Sequence, residues 1–211
     1  METLAHQFDD VEQQREASTL GMWVFLTTEI LFFGAMFLGY AVYRSAYGKA
    51  FADASGHLNV VLGSLNTAVL LCSSLTMAMA VHEAQRGHRR TLIRFLVLTM
   101  FLGAVFLGIK FYEYYVKWHE GFVPGAHFTW PGDDPRHASI FFLFYFIMTG
   151  MHALHMVIGL GLMTVLVILS AKGKFTALYN TPVELSGLYW HFVDIVWVFL
   201  FPLLYLVDRS K

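Results

Sequence analysis

The sequence predicts an all-α fold, a polytopic membrane helical bundle with five transmembrane helices. Three observations predict it. The mean hydropathy is +0.56. Of the 211 residues 57% are hydrophobic and only 14% charged, against about 25% charge in soluble domains. The apolar residues also fall in long blocks, and the breaks between blocks carry turn-forming residues.

The chain opens on METLAHQFDDVEQQRE, read as a polar N-terminal segment over 1–19. No basic region leads into a short apolar core, so neither a cleavable signal nor a transit peptide is expected. Five runs then follow, each long enough to cross roughly 30 Å of hydrocarbon as a helix. They cover about 20–43, 59–82, 92–116, 139–170 and 186–207. The fourth is long enough to tilt or to extend past the bilayer. Gly48 and Gly56, then QRGHRR, then PGDDPRH, then AKGKF with YNTP separate them. Thr181-Pro182-Val183-Glu184 reads as cap and first turn of the last helix, with Pro182 at its first position. The longest connection, about 117–138, has room for a small lid but not for a separate domain. One transmembrane domain, 20–208, is therefore expected.

Five spans put the termini on opposite sides. Lys and Arg are balanced between the two sets of loops. The dense cluster QRGHRR decides the orientation, with the N-terminus cytoplasmic and the C-terminus outside. Glycine pairs Gly34/Gly39, Gly103/Gly108 and Gly159/Gly161 offer close helix approach, which in lipid replaces the hydrophobic drive. Trp23, Trp118, Trp130, Tyr112, Tyr114 and Tyr115 fall near the predicted interfaces, as aromatic belts do.

The informative residues are the polar ones inside these runs. Glu29 lies nine residues into the first run, roughly 13 Å deep by helical rise. A carboxylate there costs several kcal/mol, roughly, unless paired, hydrated or protonated. Three roles are open to it: a hydrogen-bonded tie between helices, a proton carrier, or a contact to lipid or a partner. His152 and His155, three apart, share a helix face. So do His191 and Asp194, which can share a proton, and Lys110 and Glu113. Asn66 and Thr67 lie inside the second run.

Several chemistries are excluded. The net charge of −1 gives no reason to expect nucleic acid. Cys72 is the only cysteine, so one chain cannot make a disulfide or a thiolate metal cluster. His152 and His155 sit on one helix and cannot hold opposite faces of a haem. No phosphate-binding loop, dinucleotide fingerprint or nucleophile elbow is present. No metal, haem or catalytic centre is expected in this chain.

TEILFF, LNTAVLLCSSLT, GIKFYEYY, TGMHALHMVIG and YWHFVDIVWVFLF occur in that order. Together they resemble subunit III of the haem–copper terminal oxidases, cytochrome c oxidase subunit 3. The resemblance runs from about Leu20 to Tyr205. It implies a metal-free helical subunit of a proton-pumping oxidase, packed on a catalytic subunit I that carries haem and copper. Subunit II, small subunits or a larger respiratory assembly are the further partners it implies. The resemblance matches Glu29 to a buried glutamate associated with proton handling, and Glu113 to the carboxylate ending the third helix. It matches His152 and His155 to the family's paired histidines, and His191 and Asp194 to its last motif. It also implies bound phospholipid, with Trp23, Glu29, Arg86 and Lys172 as candidate contacts. The mitochondrial type has seven helices; this chain begins at the equivalent of the third, as shorter bacterial members do, and a bacterial cytoplasmic membrane is expected. TEILFF favours a cytochrome c oxidase. A quinol oxidase or nitric oxide reductase accessory subunit of the same superfamily is the alternative. An independent proton channel or transporter is disfavoured, because no inverted repeat or broken helix is evident.

Overall fold

The computed structural model describes residues 7–125, 128–177 and 179–207. Six helices follow one another: α1 (Val11–Ala46), α2 (Gly48–Gly56), α3 (Val60–Gln85), α4 (Arg89–His119), α5 (Pro135–Ala171) and α6 (Thr181–Tyr205). All but α2 are long and apolar enough to cross a membrane.

The five spans overlap the five expected runs, but the ends differ where caps outrank hydropathy. Helix α1 starts at Val11, well inside the segment read as merely polar. The Gln13 amide donates to Asp10 Oδ1 at 2.7 Å, and the Gln13 side chain accepts from the Asp9 amide at 2.8 Å. This reciprocal cap nucleates two helical turns before any apolar residue is needed. At α6 the cap is Asn180 rather than Thr181. At α5 the Asp134 carboxylate accepts from the His137 amide, with Pro135 opening the helix. Helices α3 and α5 end alike: Gly87 (φ 74°) and Gly173 (φ 72°) take the left-handed conformation. His88 and Lys174 then donate back to the carbonyls of Glu83 and Leu169, the closing bonds of a glycine C-cap.

Helix α2 was not expected. It buries Phe51 and Ala54 against the bundle and brings Ser55 to the end of α6. The last carbonyls of a helix have no partner within it. Here the Tyr40 hydroxyl donates to Leu203 O at 2.6 Å and the Ser55 hydroxyl to Leu204 O at 2.7 Å. The C-terminal ends of α1 and α2 thereby seal the C-terminal end of α6. No helix forms in the loop after α4 among the described residues; Phe122, Phe128 and Trp130 pack there on Phe142.

Helices α3, α4, α5 and α6 form the core, while α1 touches only α2, α5 and α6 among the described residues. At the centre of the core lies Trp190 of α6. A Cβ on Gly103 or on Gly159 would come within 2.8 Å of its indole ring. These two glycines therefore make room for one large side chain. Their expected companions do not take part: Gly34, Gly108 and Gly161 face open space. Gly39 meets only the Phe144 ring. The small residues matter where a neighbouring helix offers a ring, and spacing along one helix cannot show that.

Candidate functional site

Three groups of polar residues lie between the helices. The first lies between α4, α5 and α6. Lys110 and Glu113 are each 3% exposed. The Lys110 ammonium donates to Glu113 Oε2 at 2.9 Å, Tyr205 OH at 2.9 Å and Tyr145 OH at 3.2 Å. An ammonium has three N–H bonds, and all three are used. The Tyr205 hydroxyl lies 2.8 Å from both Glu113 oxygens. The rings of Tyr145, Trp197, Tyr114 and Tyr205 surround the ammonium at 4.9 to 5.5 Å, adding cation–π attraction. Tyr114 and Thr149 close this end with a hydroxyl–hydroxyl hydrogen bond. A buried ion pair is tolerated when its remaining donors and acceptors are met in this way.

The second place joins α1 to α5. His155 Nε2 lies 3.1 Å from Glu29 Oε2, and His155 Nδ1 lies 2.8 Å from Met151 O. A carbonyl can only accept, so Nδ1 carries a hydrogen. The contact with Glu29 then needs one more proton, held by the carboxyl group or by the imidazole. The Phe33 ring lies edge-on to the imidazole at 5.2 Å, and Tyr189 donates to His155 O at 2.9 Å.

The third place lies between α3 and α6. His191 Nδ1 meets the Ser74 hydroxyl at 2.7 Å. Asp194, 4% exposed, has no close hydrogen-bond partner at either carboxyl oxygen, but the Ser74 hydroxyl that meets His191 also interacts with its carboxyl group. The direct His191–Asp194 pair expected from their spacing does not form, because Ser74 of the neighbouring helix captures the imidazole. On the adjacent residues of the same two helices, Trp190 Nε1 donates to Ser73 Oγ at 3.0 Å.

His152 stands apart from its expected partner His155. It is 1% exposed with both ring nitrogens unpaired. The Phe106 and Trp197 rings lie 5.4 and 5.3 Å from it. Asn66 donates to Phe106 O only at 3.5 Å. Among the described residues no group of three or more His, Cys, Asp or Glu side chains is placed to hold a metal ion.

The four candidate lipid contacts do not come together. Trp23, 56% exposed, lines a cleft of about 970 Å³ between the first turns of α1 and the start of α6, with Arg15, Thr19 and Tyr179. Arg86 and Lys172 are exposed C-caps of α3 and α5 at the same end of the bundle. Neither lines that cleft. Glu29 points instead to His155.

Sequence reasoning missed Tyr145, Tyr205 and Ser74. Ser74 carried a signal, a serine pair inside an apolar run. The tyrosines carried none, since tyrosine near a span's end reads as belt.

A family model described as cytochrome c oxidase subunit III matches residues 8–208. Over 89% of its length the chain is 32% identical to quinol oxidase subunit 3 of Bacillus subtilis, covering 86% of that protein. It is likewise 32% identical to cytochrome c oxidase subunit 3 of Corynebacterium diphtheriae, over 90% of this chain and 88% of that one. To cytochrome c oxidase subunit 3 of Loxodonta africana it is 33% identical, over 90% of this chain and 70% of that one. A five-span bundle with polar clusters between its helices, matched over residues 8–208 in this way, belongs to the cytochrome c oxidase subunit III family, the non-catalytic subunit of haem–copper terminal oxidases.

Proposed function

We propose that the chain packs on the haem- and copper-bearing subunit of a proton-pumping cytochrome c oxidase in a bacterial cytoplasmic membrane, with its N-terminus cytoplasmic. There it stabilises the catalytic subunit, holds phospholipid and supports proton uptake through Glu29 and His155. The observation that carries this reading is the Glu29–His155 contact of 3.1 Å. It is a proton-bearing pair between α5 and the one span outside the four-helix core, at a depth where ionisable groups are kept for use. Trp23 and the cleft beside it supply the lipid site; an indole at headgroup level is a common anchor. TEILFF supports cytochrome c as the electron donor. The quinol oxidase names among the relatives support the second reading, a quinol oxidase subunit with the same packing role.

The test is Glu29→Gln in the intact complex. The amide still hydrogen-bonds His155 but carries no acid proton. Full assembly is expected, with slower turnover at high pH or faster inactivation during turnover. Unchanged kinetics on full assembly would leave Glu29 a tie between helices and remove the proton role. Copurification with a haem-bearing chain, and no haem absorption from this chain alone, test the packing role separately.

A further inference from the structure

We propose that the outward stripe of α6 that carries His191 is the surface on which a transmembrane helix of the haem-bearing subunit docks. That helix presents a hydrogen-bonding side chain to His191 Nε2. The inference rests on the function proposed above and specifies where that partner sits.

Helix α6 is the most deeply packed of the five spans. The face it leaves open runs through Leu188, His191, Ile195, Val198 and Pro202, all partly or fully exposed, with Phe199 at its edge, 57% exposed. Their spacing alternates three and four residues, the spacing of a seam against one further helix. Four are apolar, and His191, second along the stripe, is not. His191 lies ten residues past the start of α6 at Thr181, about 15 Å along its axis, so it stands near mid-membrane.

The imidazole is only partly buried. Ser74 occupies its Nδ1 at 2.7 Å. Among the described residues Nε2 has no partner, and it is accessible from outside the bundle. Acyl chains can neither donate nor accept a hydrogen bond, and an unmet polar group in hydrocarbon is costly. A neighbouring helix with a polar side chain at that depth meets the need. Such a helix also explains why one polar residue sits within an apolar seam, where it sets the register of pairing. Helices α1 and α4 expose wide apolar faces, with Leu31 at 69% and Phe101 at 63%, and the polar residues midway along α1, Thr27, Thr28 and Glu29, already have partners within the bundle. Those faces suit lipid.

The experiment uses the assembled oxidase. Photoreactive benzoylphenylalanine replaces Ile195 or Val198 on the stripe, and Leu31 or Phe101 as controls. Irradiation is expected to join the chain to the haem-bearing subunit from the stripe positions, several-fold more than from the controls. Adducts only to lipid, only to a second copy of this chain, or mainly from the controls would overturn the docking surface. In parallel, His191→Leu is expected to lower retention of this chain through detergent washing roughly three- to tenfold, the worth of one interhelical hydrogen bond in a membrane. His191→Gln restores it, and Ser74→Ala leaves it within about twofold. Full retention in His191→Leu, or an equal loss in Ser74→Ala, would refute the contact. A wild-type chain that copurifies with the haem-bearing subunit while these results fail loses only the docking face. A chain that does not copurify loses the proposed function as well.

Discussion

Lys110 and Glu113, one turn apart on α4 and 2.9 Å apart at their charged ends, make a buried ion pair closed on every side by hydroxyl groups and aromatic rings. Removing one partner strands the other in a site that water does not reach. Lys110→Met is therefore expected to destabilise the bundle by about 3–5 kcal/mol, and Glu113→Leu by a similar amount. The double variant should recover most of that loss, since two apolar side chains replace two charges together. Thermal unfolding of the complex across the four forms checks this, and additive losses would show that the two do not act as a pair.

The Trp190 indole predicts a contrast among glycines. Gly103→Ala and Gly159→Ala each place a Cβ about 2.8 Å from that ring. Overpacking of this kind costs roughly 1–3 kcal/mol. Gly161→Ala meets open space and should be neutral or slightly stabilising, because alanine favours helix by about 1 kcal/mol over glycine. Melting temperatures of the three variants separate the two classes.

Asp194 gives the opposite expectation from a paired acid. Its carboxyl oxygens have no close hydrogen-bond partner and only the Ser74 hydroxyl beside them, so Asp194→Leu removes a polar burial at the loss of one weak contact at most. Assembly and heat stability should hold or improve. If turnover falls while stability holds, the carboxyl group serves the reaction rather than the fold. A large loss of stability would reveal a partner for it.

At the N-terminus of α5, outside the apolar span, the His137 side chain and amide both bond Asp134. These bonds hold the Asp134 carboxyl below its ordinary value of 3.8, the side-chain bond most strongly. A lowered folded-state value stabilises the fold at all pH above the ordinary carboxylate range. That contribution fades as acid carries the pH down through and below 3.8. His137 also stacks on Tyr47 at 3.6 Å, so loosening this cap frees the α1–α2 elbow. Asp134→Asn should keep the cap but flatten this acid-dependent loss, read as the slope of stability between about pH 5 and 3. An unchanged slope would show that other carboxylates govern it.

Some of the site could be read directly. Glu29, Lys110, Glu113 and Asp194 stood out because charge is rare inside apolar runs, and Lys110 with Glu113 meet as their spacing on one helix predicts. The pairs that cross between helices could not be read the same way. His155 meets Glu29 across helices, and His191 meets Ser74 and not Asp194. Spacing says which residues share a face. It does not say which face meets which neighbour.

By itself the sequence determined the number of spans and roughly where each lies, though not where α1 and α6 begin. Hydrocarbon admits only long apolar segments whose backbone bonds close within the segment, and caps and glycines mark where those segments stop. Only the tertiary structure decided how each helix is turned about its axis. That rotation selected Gly103 and Gly159 to hold Trp190, brought α2 and Tyr40 to the open carbonyls of α6, and left His191 facing outward. The physical reason is that in lipid the helices gain little from apolar burial against one another. Close packing and a few interhelical hydrogen bonds set the rotation, and both depend on residues far apart in the chain.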